Sequence, residues 1–274
     1  MSLIRAVILG VVQGVTEFLP VSSSGHLAVF AGREGASLEL IVVLHLGTLL
    51  AILVYYRRDV FAAAVGGARL IGASVDHVRG RRRLAEYLLT DAGARLALLI
   101  IVGSIPTALI GLGLKGLVDY IVSGHTRIVG AFFIITGLLM HRCDAFALGG
   151  KGLGQGTIRD AIMVGIFQGF AVMPGLSRSG LTVFASTMRG FERRDAARFS
   201  FLLAVPALLG ASLLELKDIT GHLPLVPTAA GVAAAFAAGY VSIVILVRAL
   251  SSRKLRYFTG YLVAMGILVL FFTK

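Results

Sequence analysis

The chain alternates long apolar stretches with short polar connections rich in basic residues. Six stretches, at about 38–56, 96–117, 127–143, 198–215, 227–247 and 258–273, are close to the roughly 17–25 residues that a helix needs to cross a bilayer. They predict six transmembrane helices. Two further apolar segments, about 3–32 and 158–190, are broken near their middles by Pro, Gly and Ser. Backbone groups freed by such a break must be satisfied inside protein or a cavity, so each segment predicts a re-entrant helix pair.

The basic residues orient these elements. Arg57, Arg58, Arg69, Arg79, Arg81, Arg82, Arg83 and Arg95 fall in the 57–95 connection, and Arg248, Arg253, Lys254 and Arg256 in 248–257. Both connections are therefore expected on the cytoplasmic side. By contrast 118–126 has no basic residue and 216–226 has only Lys217, so both are expected outside. Following the chain between these anchors puts 141–160 and RGFERRDAAR (189–198) in the cytoplasm and both termini outside. The first broken segment then enters from the outer face and the second from the cytoplasmic face. Each is followed by three spans, an inverted-repeat arrangement with residues 1–157 as one repeat and 158–274 as the other within a single membrane domain.

Composition agrees with that architecture. Of 274 residues, 57% are hydrophobic and 15% charged, and the mean hydropathy is +0.90, well above that of a soluble domain. The short apolar run at the N-terminus reads as mature structure because no small-residue cleavage site and soluble domain follow it. The formal net charge of +12 comes from clusters between apolar segments, a pattern that points to anionic lipid headgroups and not to nucleic acid. One cysteine, Cys143 in HRCD (141–144), excludes an intramolecular disulfide and reads as a loop residue.

The repeat is also visible residue by residue. A shift of 155 pairs GVVQGVTEFLPVSSSG (10–25) with GIFQGFAVMPGLSRSG (165–180), matching Gly10/Gly165, Gln13/Gln168, Gly14/Gly169, Ser22/Ser177, Ser24/Ser179 and Gly25/Gly180. In such proteins the functional site forms near the bilayer midplane where the broken segments meet.

Both segments carry chemistry suited to an anion. Gln13 and Glu17 share one helix face. Pro20 ends that helix, and Ser22, Ser23 or Ser24 can cap the next, whose unpaired first-turn N–H groups make an anion site. PGLSRSGLT (174–182) repeats the device. Pro174 and Gly175 form its break, Ser177, Ser179 and Thr182 supply hydroxyls, and Arg178 brings a cation able to grip phosphate through two hydrogen bonds. Glu17 fits a phosphate cradle only if a divalent cation or a transferable proton offsets its charge. His26 supplies a group that titrates near neutral pH. His45 in LHLGTLL (44–50) reads as structural, and His77, His125, His141 and His222 fall in predicted loops or span ends. The Arg79–Arg83 run reads as a solvated loop that sets topology.

At these residues the sequence resembles the undecaprenyl-pyrophosphate phosphatase family, also called the bacitracin-resistance family. QGVTE matches its (E/Q)xxxE motif through Gln13 and Glu17, LPVSSSGH its Ser-rich turn and histidine, and PGLSRSGLT its PGxSRSxxT motif. FSFLLAVPA (199–207) is also typical, and the resemblance covers essentially the whole chain. It implies hydrolysis of undecaprenyl pyrophosphate to undecaprenyl phosphate and inorganic phosphate, recycling the lipid carrier of cell-wall synthesis. It further implies a divalent cation, Mg2+ or Ca2+, a site open to the outer face of the bacterial inner membrane, and a homodimer. Carried over by motif, Glu17, Ser23, His26 and Arg178 are the expected catalytic residues, with Gln13, Ser22, Ser24, Gly175, Ser177, Ser179 and Thr182 binding substrate and Glu17 also a metal ligand. Many relatives have Glu at the position of Gln13, a departure that weighs against a two-carboxylate metal site here.

The expected mechanism has Ser23, His26 or water attacking phosphorus, with His26 as general acid or base and Glu17 orienting His26 or holding the metal. A lipid-phosphate transporter using the same midplane site is the alternative.

Overall fold

The structure, a computed structural model, describes residues 2–30, 38–78, 87–88, 90–146, 149–215 and 223–273. Arg79, Arg81 to Arg83, Lys217 and His222 lie outside the described residues, as does much of the expected topology-setting loop. Among the described residues every regular element is helical, apart from one isolated bridge between Lys151 and Phe191.

The first broken segment becomes α1 (Leu3–Phe18) and α2 (Ser23–Phe30). Then come α3 (Leu38–Tyr55), α4 (Arg57–Val78), α5 (Ala92–Gly113), α6 (Lys115–Val122) and α7 (Arg127–Ala145). The second broken segment becomes α8 (Ile158–Phe170) and α9 (Arg178–Met188). The chain ends with α10 (Arg193–Glu215), α11 (Leu225–Ser251) and α12 (Arg256–Phe272). The sequence therefore located both breaks correctly, at Leu19–Ser22 and at Ala171–Ser177.

The expected spans are recovered in part, and two local expectations need correction. Four helices, α5, α7, α10 and α11, are long and apolar enough to cross a membrane by themselves. α3 reaches that standard together with α4, from which it is bent by 87°, and α12 is apolar over 17 residues. At 1.5 Å per residue α12 is about 26 Å long, shorter than the roughly 30 Å hydrocarbon layer. The 57–95 connection is largely helix, because Val60, Ala63 and Leu70 give α4 an apolar face that packs on α5. Cys143 is not in a loop: it is buried in α7, and its thiol lies 3.2 Å from Thr187 Oγ1.

The two halves of the chain correspond in where their first helices begin. Leu3 and Ile158, Ser23 and Arg178, and Leu38 and Arg193 begin paired helices with the same separation of 155 residues. The packing is exchanged between halves: α1 lies against α11, and α8 against α5. Glycine permits both approaches. A Cβ on Gly10 would sit 2.2 Å from the Gly231 carbonyl oxygen, and one on Gly165 2.0 Å from that of Gly103.

Ion pairs gather the basic connections at one end of the bundle. Arg198 pairs with Asp59 and Asp195, and Arg193 with Asp144 while also donating to the Leu250 carbonyl. Asp160, fully buried, is held by Lys151, Arg189 and Thr157. Arg127 Nε donates to the Thr273 carbonyl at 3.2 Å, joining the start of α7 to the last described residue.

Candidate active site

The breaks meet at the centre of the fold. Ser22 has a φ of +64°, unusual for a residue with a side chain, and in that conformation its Oγ caps α2 by accepting the Gly25 N–H at 3.2 Å. The same oxygen accepts the Gly175 N–H from the other break, also at 3.2 Å. Gly175 has a φ of +98°, and a Cβ there would lie 2.5 Å from the Val129 carbonyl oxygen, so this turn requires glycine. Ser177 caps α9 as Ser22 caps α2, accepting the Gly180 N–H at 3.2 Å. Ser179 Oγ donates to the Leu19 carbonyl at 3.3 Å and lies 3.2 Å from Ser177 Oγ. Ser24 Oγ lies 3.4 Å from Ser22 Oγ.

Glu17, at the last turn of α1, is the hub. Its Oε1 accepts a hydrogen bond from Arg178 Nη2. Its Oε2 accepts from Ser23 Oγ at 2.8 Å and from Gln13 Nε2 at 3.1 Å. On α3, His45 Nε2 stands 3.7 Å from that Oε2. Glu17 is only 7% exposed, and a carboxylate so deep requires partners of this kind. Arg178 keeps a donor in reserve: its Nη1 is buried and has no hydrogen-bond partner. An unpaired guanidinium N–H beside an ion pair marks a place for a second anion.

His26 belongs to a different network. Its Nδ1 lies 2.7 Å from the Ser22 carbonyl, which can only accept, so the proton sits on Nδ1 and Nε2 accepts from the hydroxyl of Tyr261 on α12. Phe133 meets the ring edge-to-face at 5.2 Å. The expectation that Glu17 orients His26 is corrected: Ser22 and Tyr261 hold that ring. Thr182 is also placed differently from expectation. Its hydroxyl donates to the Arg178 carbonyl at 2.8 Å and pairs with Ser200 on α10, so it braces the helix that carries Arg178.

The structure thus brings Gln13, Glu17, Ser22, Ser23, Ser24, Gly175, Ser177, Arg178 and Ser179 into one hydrogen-bonded cluster, with His26 tied to it through Ser22. Three participants were missed. Thr136 on α7 donates to the Gly175 carbonyl and accepts the Ser177 N–H, both at 3.2 Å, and so clamps the second turn. Nothing in an apolar run marks Thr136 or Tyr261. His45 did carry a signal, since an ionisable side chain inside a span is functional by default.

Among the described residues no group of three or more His, Cys, Asp or Glu can hold a metal ion. Glu17 is the carboxylate at this site, and a single carboxylate suits a cation that completes its shell with phosphate oxygens.

The model of the bacitracin resistance protein BacA matches residues 6–268. The chain belongs to this family. It is 42% identical over 269 residues to an undecaprenyl-diphosphatase of Desulfosudis oleivorans, covering 96% of each chain. A protein of the same name from Alkaliphilus metalliredigens is 38% identical over 281 residues, covering 100% of this chain and 99% of its own. One from Methanobrevibacter smithii is 35% identical over 273 residues, with coverage of 98% and 97%. In this chain both long motifs, QGVTEFLPVSSSGH and PGLSRSGLT, lie at the meeting of the two breaks.

Proposed function

We propose that this chain is an integral-membrane phosphatase that hydrolyses undecaprenyl diphosphate to undecaprenyl phosphate and inorganic phosphate, recycling the lipid carrier of cell-wall synthesis. Family membership supports the activity, and one observation carries its location: the buried, unpartnered Nη1 of Arg178 next to Glu17. The terminal phosphate accepts from that N–H and from the first-turn N–H groups of α2 and α9, both of which begin at the cradle. Ser23 Oγ already donates to Glu17, which holds the hydroxyl in place; as the serine oxygen attacks phosphorus, its proton passes to a phosphate oxygen and the bond to undecaprenyl phosphate breaks. Water then releases phosphate from the serine. His26 is a poorer nucleophile, because Nδ1 bears the proton and the lone pair of Nε2 is engaged by Tyr261. It serves to exchange protons with water or leaving group.

A divalent cation, Mg2+ or Ca2+ by family resemblance, would be held by Glu17 and would neutralise developing charge on the phosphate oxygens. The reading places the protein in the bacterial inner membrane with six crossings and two re-entrant pairs as inverted repeats, and the site open to the outer face. The matching helix starts and the basic connections collected at one end support it.

The test uses the full chain purified in detergent, with undecaprenyl diphosphate and with or without Mg2+. Phosphate release is expected, and brief exposure to substrate labelled in the terminal phosphate should mark Ser23. Absence of release under both conditions rejects the phosphatase reading. Release without label on any residue moves the attack from Ser23 to water.

A further inference from the structure

His45 is the one ionisable group at this site that the reading above does not use. Its Nδ1 lies 2.9 Å from the Ile41 carbonyl one turn earlier in α3. A carbonyl only accepts, so the ring proton is on Nδ1, and in the neutral ring Nε2 presents a lone pair. That lone pair stands 3.7 Å from Glu17 Oε2, beyond hydrogen-bonding distance and facing another electron-rich atom. Two such atoms face each other comfortably only with a positive charge between them.

We propose that His45 Nε2 and Glu17 Oε2 jointly bind one divalent cation, completed by diphosphate oxygens and water, and that the nitrogen donor shifts this chain's preference from Mg2+ and Ca2+ toward Mn2+. The gap between the donors is shorter than two metal–ligand bonds of about 2.0–2.2 Å laid end to end, so one ion reaches both. The Nδ1–H bond to a backbone carbonyl is the usual outer support of a metal-binding histidine, fixing tautomer and ring orientation. The His45 side chain is 24% exposed, against 6% for Glu17, so the histidine is the more open of the two donors. Imidazole favours first-row transition ions over Mg2+ and Ca2+, and Mn2+ is the one among them best suited to carboxylate, phosphate and water oxygens as well. With two protein ligands the site is incomplete alone, so cation and diphosphate bind together. This inference rests on the phosphatase reading.

The experiment measures Mn2+ binding to the full chain in detergent by electron paramagnetic resonance, with and without methylenediphosphonate. Expected are tighter Mn2+ binding when the diphosphonate is present and a nitrogen hyperfine coupling in the ternary complex. His45→Gln, which keeps a polar side chain of similar reach, should abolish the coupling and weaken Mn2+ binding by roughly tenfold or more. Because the coupling is read on the unaltered protein first, the test does not depend on folding of the variant. Bound Mn2+ without nitrogen coupling, no Mn2+ binding, or coupling that survives in His45→Gln overturns the proposal; a plain imidazolium–carboxylate pair gives one of the first two results. Phosphate release from undecaprenyl diphosphate is scored separately. Hydrolysis without nitrogen-coupled Mn2+ overturns this inference alone, and nitrogen-coupled Mn2+ without hydrolysis overturns the phosphatase reading alone.

Discussion

The hydroxyl of Ser22 accepts the backbone N–H of Gly175 from the opposite break, so a single oxygen joins two turns that lie 153 residues apart. It also caps α2 through the Gly25 N–H. A positive φ at a serine costs on the order of 1–3 kcal/mol, and these two bonds hold it there. Ser22→Ala removes a cap worth about 1 kcal/mol and strands a buried N–H at about 1–3 kcal/mol, so a loss of about 2–4 kcal/mol is expected. Cys143 is a built-in reporter, since it is buried and becomes alkylated on unfolding. An alkylation midpoint in Ser22→Ala equal to that of the parent protein would show that the bridge does not bear on stability.

Arg178→Lys keeps the charge and loses the fork. Arg178 divides its nitrogens between Glu17 and the vacant donor position, and a lysine ammonium cannot span both in that geometry. A fall in kcat/KM corresponding to about 2–4 kcal/mol is expected, mostly in kcat, with Glu17 still paired and the fold retained. Phosphate release against substrate concentration measures it, and a variant within a few-fold of the parent refutes two-pronged binding.

Tyr261→Phe tests the histidine network. The ring that stacks beside His26 remains, but the hydroxyl that donates to Nε2 is gone. Turnover should fall roughly tenfold, in line with about 1–1.5 kcal/mol for one hydrogen bond, while the Cys143 alkylation midpoint stays put. A shift in the midpoint with unchanged turnover would make Tyr261 a packing residue only.

Asp160, in the capped first turn of the short helix α8 where it leaves the 141–160 connection, sets an acid limit. Burial alone would raise its carboxyl, but Lys151, Thr157 and Arg189 win and hold it at about 2, against an ordinary value of 3.8. The folded protein therefore releases this proton more readily than the unfolded chain. Its contribution is complete above about pH 4 and is lost as pH falls toward about 2. Because Lys151 and Arg189 are partly exposed, we expect a contribution of only about 1 kcal/mol. Unfolding midpoints compared between about pH 5 and pH 2 should drop less in Asp160→Asn than in the parent. Parallel curves would remove Asp160 from the acid response.

Reading the chain by itself was most successful where the signal is local. Pro20 and the Pro174–Gly175 pair are each followed by a Ser–Gly turn, and that combination placed the breaks to within a few residues; Pro106 and Pro206, in apolar runs, lie inside helices. The 155-residue correspondence was visible because the same turn chemistry, a Ser cap followed by Ser and Gly, was needed twice. The basic connections now found joined by ion pairs were likewise grouped by their charge alone. Length was a weaker guide: six apolar stretches became four long helices, a bent pair and a shorter helix, since periodic apolarity does not show where a helix bends or stops.

What sequence alone determined is the membrane class, the two interrupted segments and the residue types of the candidate site, because apolar length, helix-breaking residues and intramembrane charge each act within a few residues of chain. Tertiary structure decided the partnerships. Glu17 took Ser23 and His45 in place of His26, while Tyr261 took His26 and Thr136 took the second turn, these last two from helices whose sequences carry no mark of it. The physical reason is that a hydrogen bond depends on distance and direction across helices, and the close glycine contacts of α1 with α11 and α8 with α5 set those only after the chain has packed.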